Sequence, residues 1–291
     1  MAAPGFLPEG LASRLAASGD GAGLSVRDWP AGEEPARATV LLVHGLGEHA
    51  GRYAALAQCL HGWGFAVRGY DHYGHGRSEG PRGGLPSDDR LLDDLAAVVD
   101  DTRARQPCGQ PLVLLGHSLG GLVAALFVAR GLRPVDALVL SSPAFDAGLS
   151  PWQNMLVSTL PYLLPGLRVS NGLQIPYLSH DTAVCDAYRA DGLCHDRICA
   201  RLARFLARGG PEVLDRAPRW SVPSLLMWAG DDRLVAPAGS LDFARRAPPS
   251  MVESLCLEQA YHELFNETPA LARPAFQRLQ SWLDRRFPVR G

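Results

Sequence analysis

Lysine is absent. All 28 basic residues are arginine, set against 30 acidic ones for a formal net charge of −2 over 291 residues. The arginines are scattered, so the chain lacks the positive face that nucleic acid requires, and the bias reads as a coding preference. Cysteine is scarce too: the six present, at 59, 108, 185, 194, 199 and 256, show neither C-x-x-C spacing nor the density of a disulfide framework. They read as small, reduced side chains. Long hydrophobic runs are missing. Pro4, Gly5, Pro8, Glu9, Gly10 and Arg14 break the N-terminal stretch and leave no room for a secretory h-region, and no run is long enough to span a bilayer. Repeats and low-complexity tracts are lacking as well. A nucleic-acid-binding protein, a disulfide-stapled secreted domain and a membrane-spanning protein are therefore excluded, and a cytoplasmic location is expected. The 47% of hydrophobic residues, at this length, suffices for one large core with room for an inserted subdomain.

Apolar runs alternate with helical spacing along much of the chain. Ala38–Val43, Phe65–Tyr70, Pro111–Leu115 and Val135–Leu140 read as buried strands, with helical patterns at Leu91–Val99 and Gly121–Arg130. This predicts an α/β fold, a mostly parallel central sheet with helices on both faces. The rhythm then breaks. About eighty residues separate Pro143 from the next clear strand, Ser224–Trp228, whereas a crossover needs only a dozen. We read 144–220 as an inserted helical cap between core segments 1–143 and 221–291, with Ile198, Leu202, Phe205 and Leu206 on one face of a cap helix. A helix near Ser240–Arg246, a strand Val252–Leu257 and a helix Ala270–Phe287 complete the pattern.

The sharpest chemical signal is Gly116-His117-Ser118-Leu119-Gly120, lying between an apolar strand and an amphipathic helix. A nucleophilic serine on such a strand-to-helix turn needs small neighbours two residues away on either side, because the backbone is strained and tightly packed there. A serine hydroxyl is a weak nucleophile at neutral pH, so it needs a base, and the base an orienting acid. In folds of this kind the order is Ser, then Asp or Glu, then His. Among the nine histidines, His44, His49, His61, His72, His75 and His117 precede the serine and His180 and His195 fall in the expected cap, which leaves His262. The acid is then Asp231 or Asp232, and the residues alone leave both open. Oxyanion donors are expected from the backbone N–H groups of Leu119 and of Leu46, the latter in the loop His44-Gly45-Leu46-Gly47. No metal site shows ligand spacing in the sequence and no cofactor is expected; His72 and His75 read as loop residues.

Several stretches then match together: His44-Gly45-Leu46-Gly47-Glu48-His49-Ala50-Gly51-Arg52-Tyr53, Asp71 with Gly74-His75-Gly76-Arg77-Ser78-Glu79-Gly80, the elbow, Asp232-Arg233-Leu234 and Tyr261-His262-Glu263. From near Ser25 to the C-terminus the chain resembles the monoglyceride lipase and lysophospholipase family of serine α/β-hydrolases. The resemblance implies an α/β-hydrolase fold with an inserted cap over an acyl tunnel, and hydrolysis of a lipid monoester with one long acyl chain and a small polar head. It selects Asp232 as the acid. It also implies that Glu48, Arg52 and Tyr188 line the polar end of the pocket, although Glu48 and Arg52 read equally well as salt-bridging loop residues. Two positions depart from the mammalian pattern. Phe265 replaces a histidine near the glycerol end, which implies a more apolar wall there, and Val235 replaces a cysteine close to the acid.

The expected activity is thus a serine carboxylester hydrolase for monoacylglycerols or similar long- or medium-chain monoesters. Lysophospholipase and general carboxylesterase activity are close rivals, a peptidase is more remote, and a non-catalytic scaffold is disfavoured because the nucleophile and base are both kept. Pro151–Leu167 carries many apolar residues and almost no charge. It reads either as a surface that touches membrane or as a cap helix packed over the tunnel.

Overall fold

The computed structural model describes residues 7, 9–16, 19–30, 32, 35–146, 148, 159, 163–164 and 166–289. The chain opens on a hairpin of β1 (Leu11–Ala16) and β2 (Gly23–Trp29). It then alternates through β3 (Thr39–Val43), α1 (Ala54–Gly62), β4 (Ala66–Tyr70), α2 (Arg90–Arg105), β5 (Leu112–His117), α3 (Leu119–Ala129) and β6 (Ala137–Ser141). Next come β7 (Arg168–Ser170), α4 (Thr182–Ala190), β8 (Arg197–Cys199) and α5 (Ala200–Arg216). The last elements are β9 (Ser224–Ala229), α6 (Pro237–Arg246), β10 (Val252–Leu257) and α7 (Pro269–Arg286).

One sheet takes the order β1-β2-β4-β3-β5-β6-β9-β10. From β4 to β10 its neighbours run parallel, and the hairpin adds two antiparallel strands at the β4 edge. Strand residues alternate between two apolar layers, as a two-residue side-chain period demands. Leu112, Leu114, Leu138, Leu140 and Leu226 face α2, α3, α5 and α6, whereas Val113, Leu115, Val139, Leu225 and Met227 face α1 and α7. Every residue of β5 is buried, which is why Pro111–Leu115 reads as an unbroken apolar run with no polar face.

The hairpin, α1, α4 and the β7–β8 ribbon were not anticipated, and several boundaries move. Helix α3 starts at Leu119, two residues earlier than its spacing suggests, because the turn at Ser118 is tight enough for the helix to begin at once. Helix α6 starts at Pro237, where a missing N–H costs nothing and the ring fixes a helical φ. Ile198 belongs to β8, not to the helix expected around it. Helix α5 does not stand apart from the sheet layers: Leu202 and Val213 join the α3-side core. A Cβ on Gly210 would stand 1.8 Å from the Phe145 carbonyl oxygen, and one on Gly209 2.9 Å from Leu126. The two glycines are what let the helix lie this close. Of the apolar stretch Pro151–Leu167, the residues Trp152, Met155, Leu156, Val157, Leu160 and Tyr162 lie outside the described residues, while Leu163, Leu164 and Leu167 are exposed. No helix among the described residues is long and apolar enough to cross a membrane.

Candidate active site

Ser118 occupies the single residue between β5 and α3, at φ 53° and ψ −119°. L-residues avoid positive φ because Cβ crowds the carbonyl oxygen, so the surroundings must hold it there. Its N–H donates to the Ser141 carbonyl at 3.0 Å, and its own carbonyl accepts from Leu122 and Ala144 N–H, each at 3.0 Å. The flanking glycines are sterically required. A Cβ on Gly116 would lie 2.4 Å from the Gly120 oxygen, and one on Gly120 2.0 Å from the Val43 oxygen, both backbone atoms with little freedom to move. Gly120→Ala is accordingly expected to cost about 3 kcal/mol, read as a lower urea midpoint at unchanged slope. Wild-type stability in that variant would refute the steric account of the elbow.

His262 lies in the loop after β10, buried, and its Nδ1–H donates to Asp232 Oδ2 at 2.6 Å. The aspartate sits on the loop after β9, its other oxygen accepting from Leu234 N–H at 2.9 Å and Val235 N–H at 3.0 Å. Because an ionised carboxylate only accepts, the imidazole proton is fixed on Nδ1 and Nε2 is left as the basic nitrogen. Burial alone would raise the Asp232 carboxyl, but the His262 ring and these N–H donors outweigh it and hold the pKa low. Burial alone would likewise lower His262, and Asp232 reverses this, so the imidazole titrates above its ordinary range. Asp231 turns outward and pairs with Arg233 at 3.2 Å. The His117 ring packs 4.7 Å from that of His262. It is pushed down to about 4 by burial and by the neighbouring imidazole, so it stays neutral.

Ser118, His262, Leu46, Leu119, Glu48, Arg52 and Tyr188 line one cavity of about 420 Å³, with Asp232 behind it. Leu119 opens α3, where an N–H has no intrahelical acceptor. A Cβ on Gly45 would come within 3.3 Å of Ser118 Cβ, which shows how closely the loop after β3 approaches the serine. Leu173, Leu178, Ile198, Leu206, Leu234 and Val235 make much of the wall apolar. The opposite end is polar and bonded to itself. Arg52 donates to Glu48 at 2.5 Å and to both oxygens of Glu263 at 2.6 and 2.8 Å, and its guanidinium lies 4.9 Å above the Tyr188 ring. Burial would raise Glu48, but Arg52 above all holds it down to about 2. Tyr188 OH and His195 N–H both donate to the Gly47 carbonyl, at 3.1 and 2.8 Å, so the segment after β6 is stitched to the loop after β3.

Two features of this site escaped the sequence reading, and one expectation is corrected. Glu263 is the bidentate partner of Arg52, and only its position beside His262 hinted at a role. Glu267, also buried, accepts from Tyr261 N–H and from the His180 ring, each at 2.7 Å, and so pins the far side of the His262 loop. Phe265 packs against Phe276 at 5.1 Å and is not on the cavity wall, which corrects the expectation of a more apolar polar end. Its ring turns into the α7-side layer because Glu263 and Glu267 fix the loop around it. Among the described residues, His49, Asp191 and Cys194 have ligand-type atoms within 4.8 Å of one another. Their chemistry is that of a loop staple: His49 Nδ1 accepts from Gly51 N–H, so its proton lies on Nε2 and goes to Asp191 at 2.8 Å. Burial pushes the Cys194 thiol up to about 12, so it stays protonated beside this pair.

The Hydrolase_4 family model, described as serine aminopeptidase, S33, matches residues 34–269. A monoacylglycerol lipase of Mycolicibacterium smegmatis is 36% identical over 82% of this chain and 85% of its own length. An uncharacterized abhydrolase domain-containing protein of Dictyostelium discoideum is 32% identical over 84% of this chain, which spans only 26% of that longer protein. Among solved structures, the monoacylglycerol lipase of Paleococcus ferrophilus superposes with a TM-score of 0.82 at 30% identity, covering 90% of this chain and 99% of that one. With this sheet order, elbow and extent of similarity, the chain belongs to the monoglyceride lipase family of α/β-hydrolases.

Proposed function

We propose that the protein hydrolyses monoacylglycerols, or similar long- and medium-chain monoesters, through an acyl-enzyme on Ser118. The observation that carries this is the convergence on one largely apolar cavity of a strained serine and a buried imidazole whose proton is fixed on the far nitrogen by a carboxylate. In this reading His262 Nε2 takes the Ser118 proton as Oγ attacks the ester carbonyl. The tetrahedral oxyanion accepts from the Leu46 and Leu119 N–H groups. His262 then protonates the departing alkoxide, and water, activated by the same imidazole, releases the fatty acid. Asp232 holds the ring and stabilises its cationic form. Segment 144–220 acts as the cap and contributes the acyl-facing wall between core segments 1–143 and 221–291. A cytoplasmic setting accords with six free cysteines.

The polar end favours an uncharged head group. Glu48, Arg52 and Glu263 bring two carboxylates and one guanidinium together there, so a glycerol head is accommodated more easily than an anionic phosphate. Turnover of p-nitrophenyl esters from acetyl to palmitoyl, beside monoolein and lysophosphatidylcholine, tests both points. Monoolein is expected to exceed the lysophospholipid by about tenfold in kcat/KM, the factor that one imperfectly paired buried charge supplies. Equal rates, or a preference for acetyl esters, would reject this substrate assignment.

A further inference from the structure

Three successive N–H groups of the His262 loop find their acceptors outside the sheet. Tyr261 N–H donates to Glu267 Oε1 at 2.7 Å, His262 N–H to the Tyr177 carbonyl at 3.5 Å, and Glu263 N–H to the Leu178 carbonyl at 2.9 Å. Residues 177–181 thus cross the loop as a strap, with Leu178 on the cavity wall. Glu267 ties strap and loop together. One of its oxygens accepts from Tyr261 N–H and, at 2.7 Å, from the His180 ring; the other accepts from His180 N–H and Thr268 N–H, each at 3.1 Å. Ser179 Oγ adds a bond to the Asn266 carbonyl at 2.8 Å, and the His180 ring stacks on that of Tyr261 at 3.6 Å. The Glu267 side chain is shut away from solvent. Burial alone would raise its carboxyl, but the Tyr261 N–H and the His180 ring and N–H outweigh it, so the group is a carboxylate that only accepts.

We propose that Glu267 is a positioning residue for the base: it fastens the 177–181 strap across the loop, so that the His262 ring keeps its line to Asp232 and Ser118. Glu267 lies outside the cavity lining and acts only through the backbone it holds. Asp232 reaches His262 from a different element, the loop after β9, so the 2.6 Å bond between them depends on both loops holding still. The inference rests on the acyl-enzyme reading above.

The test compares Glu267→Gln, His180→Phe and the double variant. Glutamine keeps the shape of the side chain and loses its charge. Both carboxylate positions already receive backbone N–H groups, Tyr261 on one side and His180 and Thr268 on the other, so the amide NH₂ meets a donor whichever way it turns. Glu267→Gln is expected to lower kcat about 30-fold with KM within a factor of two, since a misplacement of about 1 Å at the reacting centre costs up to about 10² in rate. His180→Phe keeps a ring on Tyr261 and removes one donor to Glu267, and is expected to lower kcat about threefold. Added to Glu267→Gln it should cost less than about 1.5-fold more, because both changes act through one carboxylate. In both single variants the acid limb of kcat/KM should move downward, as His262 loses part of the pull of Asp232 that raises it. His180→Phe leaves the Glu267 charge in place, so its shift reports alignment and not a lost charge. Wild-type kcat in Glu267→Gln, a loss confined to KM, fully additive losses in the double variant, or an unmoved acid limb in His180→Phe would each overturn the proposal. If the Gln variant does not fold, His180→Phe decides alone, by its kcat and its acid limb. A fully active Glu267→Gln beside a dead Ser118→Ala would remove this inference and leave the acyl-enzyme reading intact; an active Ser118→Ala would remove both.

Discussion

Ser118→Ala is expected to lower turnover of a monoester by about 10⁵-fold and to abolish labelling by a fluorophosphonate, with the fold unchanged. The fold should survive because alanine keeps the Cβ that the backbone at φ 53° already tolerates, and the bonds that hold the turn come from the Ser118 N–H and carbonyl. The rate should collapse because, in the proposed mechanism, the acyl group is carried on the Ser118 oxygen. The Leu46 and Leu119 amides and the apolar wall would remain and leave a small residue of catalysis over water. Intact-mass measurement of the labelled protein gives the clearest reading. A label that persists in the alanine variant would mean that the nucleophile lies elsewhere.

Asp232→Asn is expected to cost about 10³- to 10⁴-fold in kcat, and Asp231→Asn less than about twofold. The asparagine oxygen can go on accepting from Leu234 and Val235 N–H, which turns its NH₂ toward His262 Nδ1. That nitrogen must then accept, the imidazole proton moves to Nε2, and the base is blocked. The pH profile should shift in a defined direction. In the proposed mechanism His262 accepts a proton only when neutral, and Asp232 raises it above the ordinary value near 6.5. Wild-type kcat/KM is therefore full at alkaline pH and lost as the pH falls through a value above 6.5. Without the carboxylate, burial is opposed only by Glu263 and Glu48, whose pull on His262 is weaker than that of Asp232, so the acid limb of the residual activity should move downward. An unchanged limb in Asp232→Asn, or a large loss in Asp231→Asn, would reverse the assignment of the two aspartates.

Those two aspartates show where sequence reasoning reached its limit. Both follow β9, both are acidic, and their different directions follow from one turn in which Leu234 and Val235 N–H groups converge on Asp232. The elbow was legible because its constraints are local: glycines two residues from the serine, an apolar strand before it and a helix after it. The parallel sheet was legible because buried strands leave unbroken apolar runs. The β1–β2 hairpin left a weaker trace, since β1 is an edge strand with mostly exposed side chains and little apolar alternation. Helix α1 is short, and its buried face of Leu56, Ala57 and Leu60 is interrupted by His61. Arg52 and Glu263 stand 211 residues apart, and nothing local in either motif implies the bond. The same holds for His180, set aside as a cap residue, which braces the His262 loop through Glu267.

The stitching of Gly47 to Tyr188 and His195 bears on how such an enzyme diversifies. Residues of the apolar cavity wall belong to the same stretch of chain as the donors that hold the loop beside the serine, and α5 at its end packs on α3. On the proposed function, selectivity and speed are thus expected to be coupled here. An exchange of that whole stretch between homologues should change both properties at once, whereas point changes on the wall that keep the seam to Gly47 closed should change selectivity alone.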